Sequence, residues 1–340
     1  MKVLVTGGAG FIGSNLVLTL LNQPEISQII ILDALTYAGN LQNLGKIDPN
    51  RCKIIIGDIT NGQLVESLVA EVDLVYHLAA ETHVTRSIYD NLQFFRTDVL
   101  GTHSVANSIL RQNTKRLRPI PLVHISTSEV YGTALYPRMD EQHPLNPCSP
   151  YAAAKLGADR LVYSYGCTYR LPSIILRPFN QYGPRQHPEK LIARFITSSL
   201  ANEPMPIHGD GSASRDWTHV HDTVEFLATL IHRDLTGFYA EEFNIGSDIS
   251  TSILEISSII GSCIPDSRCC MIEERPGQVL RHTANSDKAR AVLGWNPKLR
   301  LVDSIPDVIK WYASNTHIWQ DLSLVKSVEL ELLPGVIIHQ

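Results

Sequence analysis

The stretch VTGGAGFIG, residues 5–13, closes a short β-branched run and leads straight into an apolar helical pattern beginning near Ser14. Gly7, Gly10 and Gly13 therefore stand at G-x-x-G-x-x-G spacing between a strand and a helix. Few folds use that junction. Glycine lets the backbone approach a pyrophosphate and lets the helix pack closely on the strand, while the helix N-terminus offers oriented N–H groups and a positive dipole end. A glycine loop alone is often just a tight turn. Here Asp33 ends the next run, QIIILDA, 20 residues after Gly13. A carboxylate at that place hydrogen-bonds an adenosine ribose diol and repels a 2′-phosphate, so the pattern predicts a dinucleotide site that prefers NAD to NADP. Asp58, ending the third run in IIIGDI, reads either as a neighbour of the adenine or as an ordinary strand-end carboxylate.

The same alternation continues. KVLVTG, QIIILDA, CKIIIGD, LVYHLAA, PLVHIST and PSIILRP are continuous apolar runs separated by helical patterns. Runs of this kind belong to parallel strands buried on both faces, with the helices as right-handed crossovers. The expected fold is α/β, a Rossmann-type doubly wound parallel sheet over residues 1–177. After RPFNQYGPRQ the alternation weakens and stretches such as HGDGSASRD and EERPGQVLRH interrupt shorter elements. Residues 178–318 are expected to form mainly a smaller C-terminal α/β substrate-binding lobe, with some later segments returning to the first domain. Residues 319–340 are an apolar tail whose place the sequence leaves open.

Composition excludes several partners. With a formal charge of −5 and 19% charged residues, no basic footprint for nucleic acid stands out. No apolar run reaches membrane-spanning length and no leader pattern opens the chain, so a cytoplasmic protein is expected. The six cysteines form no Cys-x-x-Cys pair, which argues against a disulfide framework or a zinc site. His219 and His221 in THVHD resemble metal ligands at alternate strand positions, but no third ligand accompanies them and no metal is expected.

A second constellation follows the fifth run. In SPYAAAKLGADRL, Tyr151 and Lys155 lie one helical turn apart on one face. An ammonium beside a phenol, near a positively charged nicotinamide, lowers the phenol's pKa and makes it a usable base. A lone Y-x-x-x-K is more often a surface pair. Joined to the glycine loop and to the strand end STSEVYG, it reads as catalytic.

Together TGGAGFIGS, LDALTYAGN, HLAAETHVTRSI, STSEVYG, SPYAAAK, NQYGPRQHPEKLI, GDGSASRDWTHVHD, FNIGS and RPGQVLRH resemble the extended short-chain dehydrogenase/reductases, and more narrowly their nucleotide-sugar 4,6-dehydratases. The resemblance spans residues 1 to about 300. It implies a Rossmann domain retaining NAD, a lobe holding a nucleotide-diphospho-sugar, and a homodimer built from the helix after Asp98 and the helix bearing Tyr151. It assigns Tyr151 as base at the sugar 4-hydroxyl, Lys155 as its partner and ribose ligand, and Thr127 as hydrogen-bond donor to the same oxygen. Glu129 is implied to remove the C5 proton while the C6 hydroxyl leaves as water, and Ser128 stands between them. To the cofactor it assigns Phe11, Ile12, Ile59, Leu78, Ala79, Ala80 and Thr97 in addition to the glycines, Asp33 and Asp58. To the substrate it assigns Thr82, Asn180, Lys190, Leu191, Arg215, Asn244 and Arg275.

The run Thr127-Ser128-Glu129 departs from the dTDP-glucose branch, where the middle residue is an aspartate that helps protonate the departing oxygen. Thr85 also stands where that branch often has aspartate. The base of the nucleotide (dTDP, UDP, GDP or CDP) and the sugar are left open. Thr-Ser-Glu also suits a UDP-glucuronate decarboxylase, although SPYAAAK fits the dehydratases better. A 4-epimerase needs no glutamate here, and a non-catalytic NAD sensor or scaffold would need none of the four polar residues.

Overall fold

The computed structural model describes residues 1–273, 279–320, 329–333 and 336–339. The six apolar runs form β1 (Lys2–Thr6), β2 (Gln28–Asp33), β3 (Cys52–Ile56), β4 (Leu74–His77), β5 (Leu122–Ile125) and β6 (Ser173–Pro178). All pair in parallel, and the strand Tyr239–Ile245 joins the free edge of β6, so the sheet runs Tyr239–Ile245, β6, β5, β4, β1, β2, β3. This is a Rossmann-type doubly wound sheet. Pleating sends alternate side chains of β1 to opposite faces: Val3 and Val5 pack with Leu16, Val17, Val224 and Leu227, whereas Leu4 packs with Val65, Val105, Ile109 and Val162. Helices on both faces are what require the continuous apolar runs.

From β1 the chain winds outward through β2 and β3, then crosses back to place β4 on the other side of β1. The loops leaving β1 and β4 consequently diverge, and a crevice opens at this reversal point. Its walls almost touch at the base. A Cβ on Gly7, whose φ of 70° suits glycine, would lie 2.7 Å from the Ala79 nitrogen in the loop after β4.

Beyond β6 the chain builds a second core from Phe195, Ile256, Ile260, Ile305 and Tyr312, carried by the helices Leu191–Leu200, Ile253–Cys263 and Leu301–Ser314. The strand Ser214–His219 is the hub of its sheet, pairing with Asn180–Tyr182, Ser250–Ser252 and Arg281–His282. Two later segments return to the first domain. The strand Tyr239–Ile245 extends the large sheet, and the helix Val220–Thr229 packs on the helix Phe11–Leu20. In the tail, residues 329–333 pair antiparallel with residues 336–339.

A buried ion network fixes the long helix Pro150–Tyr169 against the sheet. Arg177 of β6 donates from Nε and Nη2 to the two oxygens of Asp159 at 2.9 and 3.0 Å, and the Ser126 hydroxyl donates to the same carboxylate at 2.7 Å. Burial alone would raise the Asp159 pKa, yet the Arg177 bonds hold it well below the usual carboxylate range. The helix that carries Tyr151 and Lys155 is thereby tied to the loop that carries Thr127.

Candidate active site

One cavity of about 440 Å³ runs from the glycine loop to the second lobe. At its base the helix Phe11–Leu20 begins at Gly10 with no side-chain cap. A Cβ on Gly13 would lie 2.1 Å from the Gly7 carbonyl oxygen, so this turn of backbone closes only around glycine. Asp33, at the end of β2, accepts the N–H of Ala9 at 2.8 Å and the N–H of Leu35 at 2.8 Å. One carboxylate thus tethers the glycine loop to the loop after β2. Burial raises its pKa and the two N–H bonds oppose the rise. Asp58 accepts the Thr60 N–H at 2.8 Å and also faces the cavity. The uncapped helix start, the glycine-only turn and a carboxylate at the second strand end form a cradle that suits a dinucleotide.

Above the cradle, β5 ends at Ile125 and the backbone turns through Ser126, Thr127, Ser128 and Glu129, all lining the cavity. Thr127 caps the short 3-10 turn Ser128–Tyr131 by accepting the Glu129 N–H at 3.2 Å. The Tyr151 hydroxyl is hydrogen-bonded to the Thr127 side chain. Glu129 reaches into the cavity with its side chain 26% exposed. Lys155 donates from Nζ to the Ile125 carbonyl at 2.8 Å. Burial lowers its pKa, with Asp98 and Asp159 opposing.

The Tyr151 phenol is held above its ordinary pKa by burial, with Asp98 and Glu129 adding to the rise and only the Thr127 bond opposing it. Lys155 directs one of its three N–H groups to the Ile125 carbonyl, and the balance at the phenol is set by burial, Thr127, Asp98 and Glu129.

The wall facing Tyr151 is formed by a segment from the second lobe. Lys190 donates to the Thr82 carbonyl at 2.8 Å, joining two residues that sequence reading assigned to the substrate. Beside them the buried Glu189 carboxylate lies 3.5 Å from His83, 3.6 Å from His187, 3.6 Å from Lys190 and 3.8 Å from Arg86. Burial would raise its pKa, but Lys190, His83 and His187 hold it low. Asn180, Leu191 and Arg215 complete this wall.

The cavity gathers the cofactor set Gly7, Gly10, Phe11, Ile12, Gly13, Asp33, Asp58, Ile59, Leu78, Ala79, Ala80 and Thr97, together with Tyr151 and Lys155. Asn244 stands apart from it. Its side chain is buried, accepting the Tyr131 hydroxyl at 2.7 Å and donating to the Met139 carbonyl at 2.9 Å, so it braces the turn behind Glu129 instead of lining the pocket. Arg275 lies outside the described residues. His219 accepts the His221 N–H at 3.1 Å and stacks edgewise on Tyr182, and among the described residues no group of three His, Cys, Asp or Glu side chains is placed to hold a metal. No described helix is long and apolar enough to cross a membrane.

Sequence reading missed three acidic or basic groups around this site. Glu189 sits next to Lys190 in the same HPEKLI run, and its flanking His187 and Lys190 were the available signal. Asp98 lies in a π-helical turn, Phe95–Gly101, where it is buried, accepts the Glu81 N–H at 2.9 Å and leaves Oδ2 without a hydrogen bond among the described residues. Burial lifts its pKa from 3.8 to about 7 despite the nearby Lys155 charge. π-Helical turns of this kind concentrate at functional sites. His282, the third, is buried behind Glu129.

A family model of GDP-mannose 4,6 dehydratase matches residues 4–308. The low-salt glycan biosynthesis protein Agl12 of Haloferax volcanii is 41% identical over 92% of this chain and 98% of its own. A dTDP-glucose 4,6-dehydratase from an Actinoplanes species is 38% identical over 94% of this chain and all of its own. Among solved structures, the dTDP-glucose 4,6-dehydratase DesIV of Streptomyces venezuelae, crystallised with NAD and TYD bound, superimposes with a TM-score of 0.88 at 36% identity, covering 95% of this chain and all of that one. Fold, cavity and likeness along nearly the whole length agree, and the chain belongs to the GDP-mannose 4,6-dehydratase family.

Proposed function

We propose that the chain is an NAD-dependent nucleotide-sugar 4,6-dehydratase, converting a nucleotide-diphospho-hexose to its 4-keto-6-deoxy form. The observation that carries this reading is the partly exposed Glu129 carboxylate on the same wall as the Tyr151–Thr127 hydroxyl pair. Oxidation at C4 needs only the pair; the carboxylate adds a base for elimination.

The glycine cradle, Asp33 and Lys155 would hold NAD, which when bound supplies the acceptor and later the donor of the hydrogen that leaves C4. Tyr151 takes the proton of the sugar 4-hydroxyl and Thr127 steadies that oxygen. Because burial disfavours the phenolate, positive charge brought against this wall is what makes Tyr151 a base. A 4-keto group acidifies C5–H, and Glu129 removes that proton as the C6 hydroxyl departs as water. Thr82, Asn180, Lys190, Leu191 and Arg215 are assigned to the nucleotide-sugar; a lysine and an arginine suit its diphosphate.

Residues 1–177 act in this reading as the NAD-binding domain and residues 178–318 mainly as the nucleotide-sugar lobe. Exposed apolar side chains support a homodimer: Leu92, Phe95 and Leu100 just before the helix Thr102–Asn113, and Tyr163 on the helix Pro150–Tyr169. The six cysteines are all free, which suits a reducing compartment, and we place the enzyme in the cytoplasm.

The test is turnover of a panel of dTDP-, UDP-, GDP- and CDP-hexoses, and UDP-glucuronate, deuterated at C4. A 4,6-dehydratase loses water and carries the label from C4 to the C6 methyl group, with C5 hydrogen drawn from solvent. Glu129→Gln, which keeps shape but not basicity, should slow water loss by about a hundredfold or more. Loss of carbon dioxide, or label returned to C4 at unchanged mass, would replace this reading by a decarboxylase or an epimerase.

A further inference from the structure

Glu129 has a buried neighbour that the mechanism above does not use. His282 is fully buried, in the two-residue strand Arg281–His282, where it pairs with Arg215 of the strand Ser214–His219. Its Nε2 is bonded to the Gly132 carbonyl oxygen. A carbonyl can only accept, so Nε2 carries the proton. Nδ1 then faces the other way, 3.5 Å from the Ser128 hydroxyl and 4.0 Å from a Glu129 oxygen. The ring is wedged edgewise against Phe179, which fixes its plane. The remaining groups that bear on it are Arg215, whose charge opposes a second proton, and His143. The latter is engaged elsewhere, its Nε2 with the Leu135 N–H and its Nδ1 with the Pro144 carbonyl. Burial pushes His282 further toward its neutral form.

Resting on the dehydratase reading, we propose that His282 is a positioning residue for water elimination, its Nδ1 sharing the proton that Glu129 removes from C5 and so handing it on to the departing oxygen. The C5–H bond breaks and its electron pair forms the C5–C6 double bond as the C6–O bond breaks. Glu129 gains the proton and, now a carboxylic acid, donates to Nδ1. The pair returns the proton to the leaving hydroxyl, which departs as water. No external acid enters the step. In the resting state Ser128 donates to the same nitrogen, keeping it aimed at Glu129. Ser128 has no acidic proton of its own to give at neutral pH, so the imidazole is what makes this corner capable of acid–base work.

A buried histidine can instead serve only to clamp Gly132, and the two nitrogens separate the roles. His282→Gln keeps an N–H for the Gly132 carbonyl and loses the Nδ1 acceptor. Single-turnover reactions are run with the NAD-loaded protein and whichever nucleotide-hexose the wild type dehydrates. The expected result is unchanged substrate affinity and unchanged C4 oxidation, but C5 exchange and water loss slowed by about tenfold or more, with the 4-keto-hexose accumulating. Ser128→Ala, which leaves the Glu129–His282 pair intact, should slow elimination less. If the glutamine variant does not fold, His282→Asn gives the complementary split, keeping an acceptor near the Nδ1 position and losing the N–H to Gly132, so water loss should stay near the wild-type rate and its selective loss overturns the role. Elimination at the wild-type rate in the folded glutamine variant overturns the role of His282 and leaves the dehydratase reading standing; a wild-type chain that loses no water overturns both.

Discussion

Replacing Asp33 by asparagine isolates the residue on which cofactor choice turns. Both carboxylate oxygens are already engaged, one by the Ala9 N–H and one by the Leu35 N–H, each at 2.8 Å. Asparagine offers one oxygen and one NH2 group to the same two donors. One N–H keeps a neutral acceptor; the other meets a donor. A charge-assisted bond contributes about 1.5–3 kcal/mol and a neutral one about 1 kcal/mol, and an unsatisfied buried donor costs a further 1–3 kcal/mol. Against this, asparagine escapes the burial penalty that raises the Asp33 pKa. The expected net loss is about 2 kcal/mol, the lower end once that relief is allowed for, and it falls on the glycine loop, because Ala9 lies between Gly8 and Gly10. That corresponds to roughly a thirtyfold weaker NAD affinity. The same change removes the negative charge that repels a 2′-phosphate, so NADP should lose far less affinity than NAD, or gain some. Calorimetric titration of wild type and Asp33→Asn with both nucleotides measures the two arms separately. An NAD affinity within threefold of wild type, or equal losses for NAD and NADP, would refute the assignment.

The remaining predictions concern charge and assembly. Asp98, raised by burial from 3.8 to about 7, favours folding in its protonated form, so its contribution is complete below its unfolded pKa and is lost as pH climbs toward and through about 7. Urea unfolding should therefore show the wild type losing about 3 kcal/mol relative to Asp98→Asn between about pH 5 and about pH 8, and parallel curves would contradict this. In solution the chain should scatter light as a dimer at micromolar concentration, and Leu100→Arg, at an exposed apolar position, should shift it toward monomer; a monomeric wild type would exclude the proposed interface.

Most of the large sheet was legible because six strands are buried on both faces or lie beside strands that are, and burial leaves uninterrupted β-branched runs in the sequence. The seventh, Tyr239–Ile245, was not. It is an edge strand carrying Glu241 and Glu242, with both glutamates partly exposed, so its run YAEEFNI has no apolar stretch to read. At the site, residues joined by local motifs were found: the glycine loop, Tyr151 with Lys155, and Thr127 with Glu129. Residues that matter through contacts distant in sequence were not. His282 meets Glu129 across more than 150 residues, from a strand of two residues with no pattern of its own. Asn244 illustrates the converse. Its motif FNIGS pointed to a ligand, but the amide is turned inward and fully used by Tyr131 and Met139.

The charge state of this cavity is set by burial as much as by its residues. Tyr151, Lys155 and Asp98 are all displaced toward their neutral forms, and burial is the largest cause in each case. In the free chain the phenol keeps its proton, Asp98 resists ionising, and Lys155 is held on a neutral carbonyl. A neutral, protonated tyrosine cannot act as a base. A cation placed against this wall works against these displacements: it favours both the phenolate and the Asp98 carboxylate, and ionised Asp98 favours the Lys155 ammonium while itself opposing the phenolate. The three titrations are therefore coupled, and the protonation of Tyr151 depends on the charge that fills the cradle.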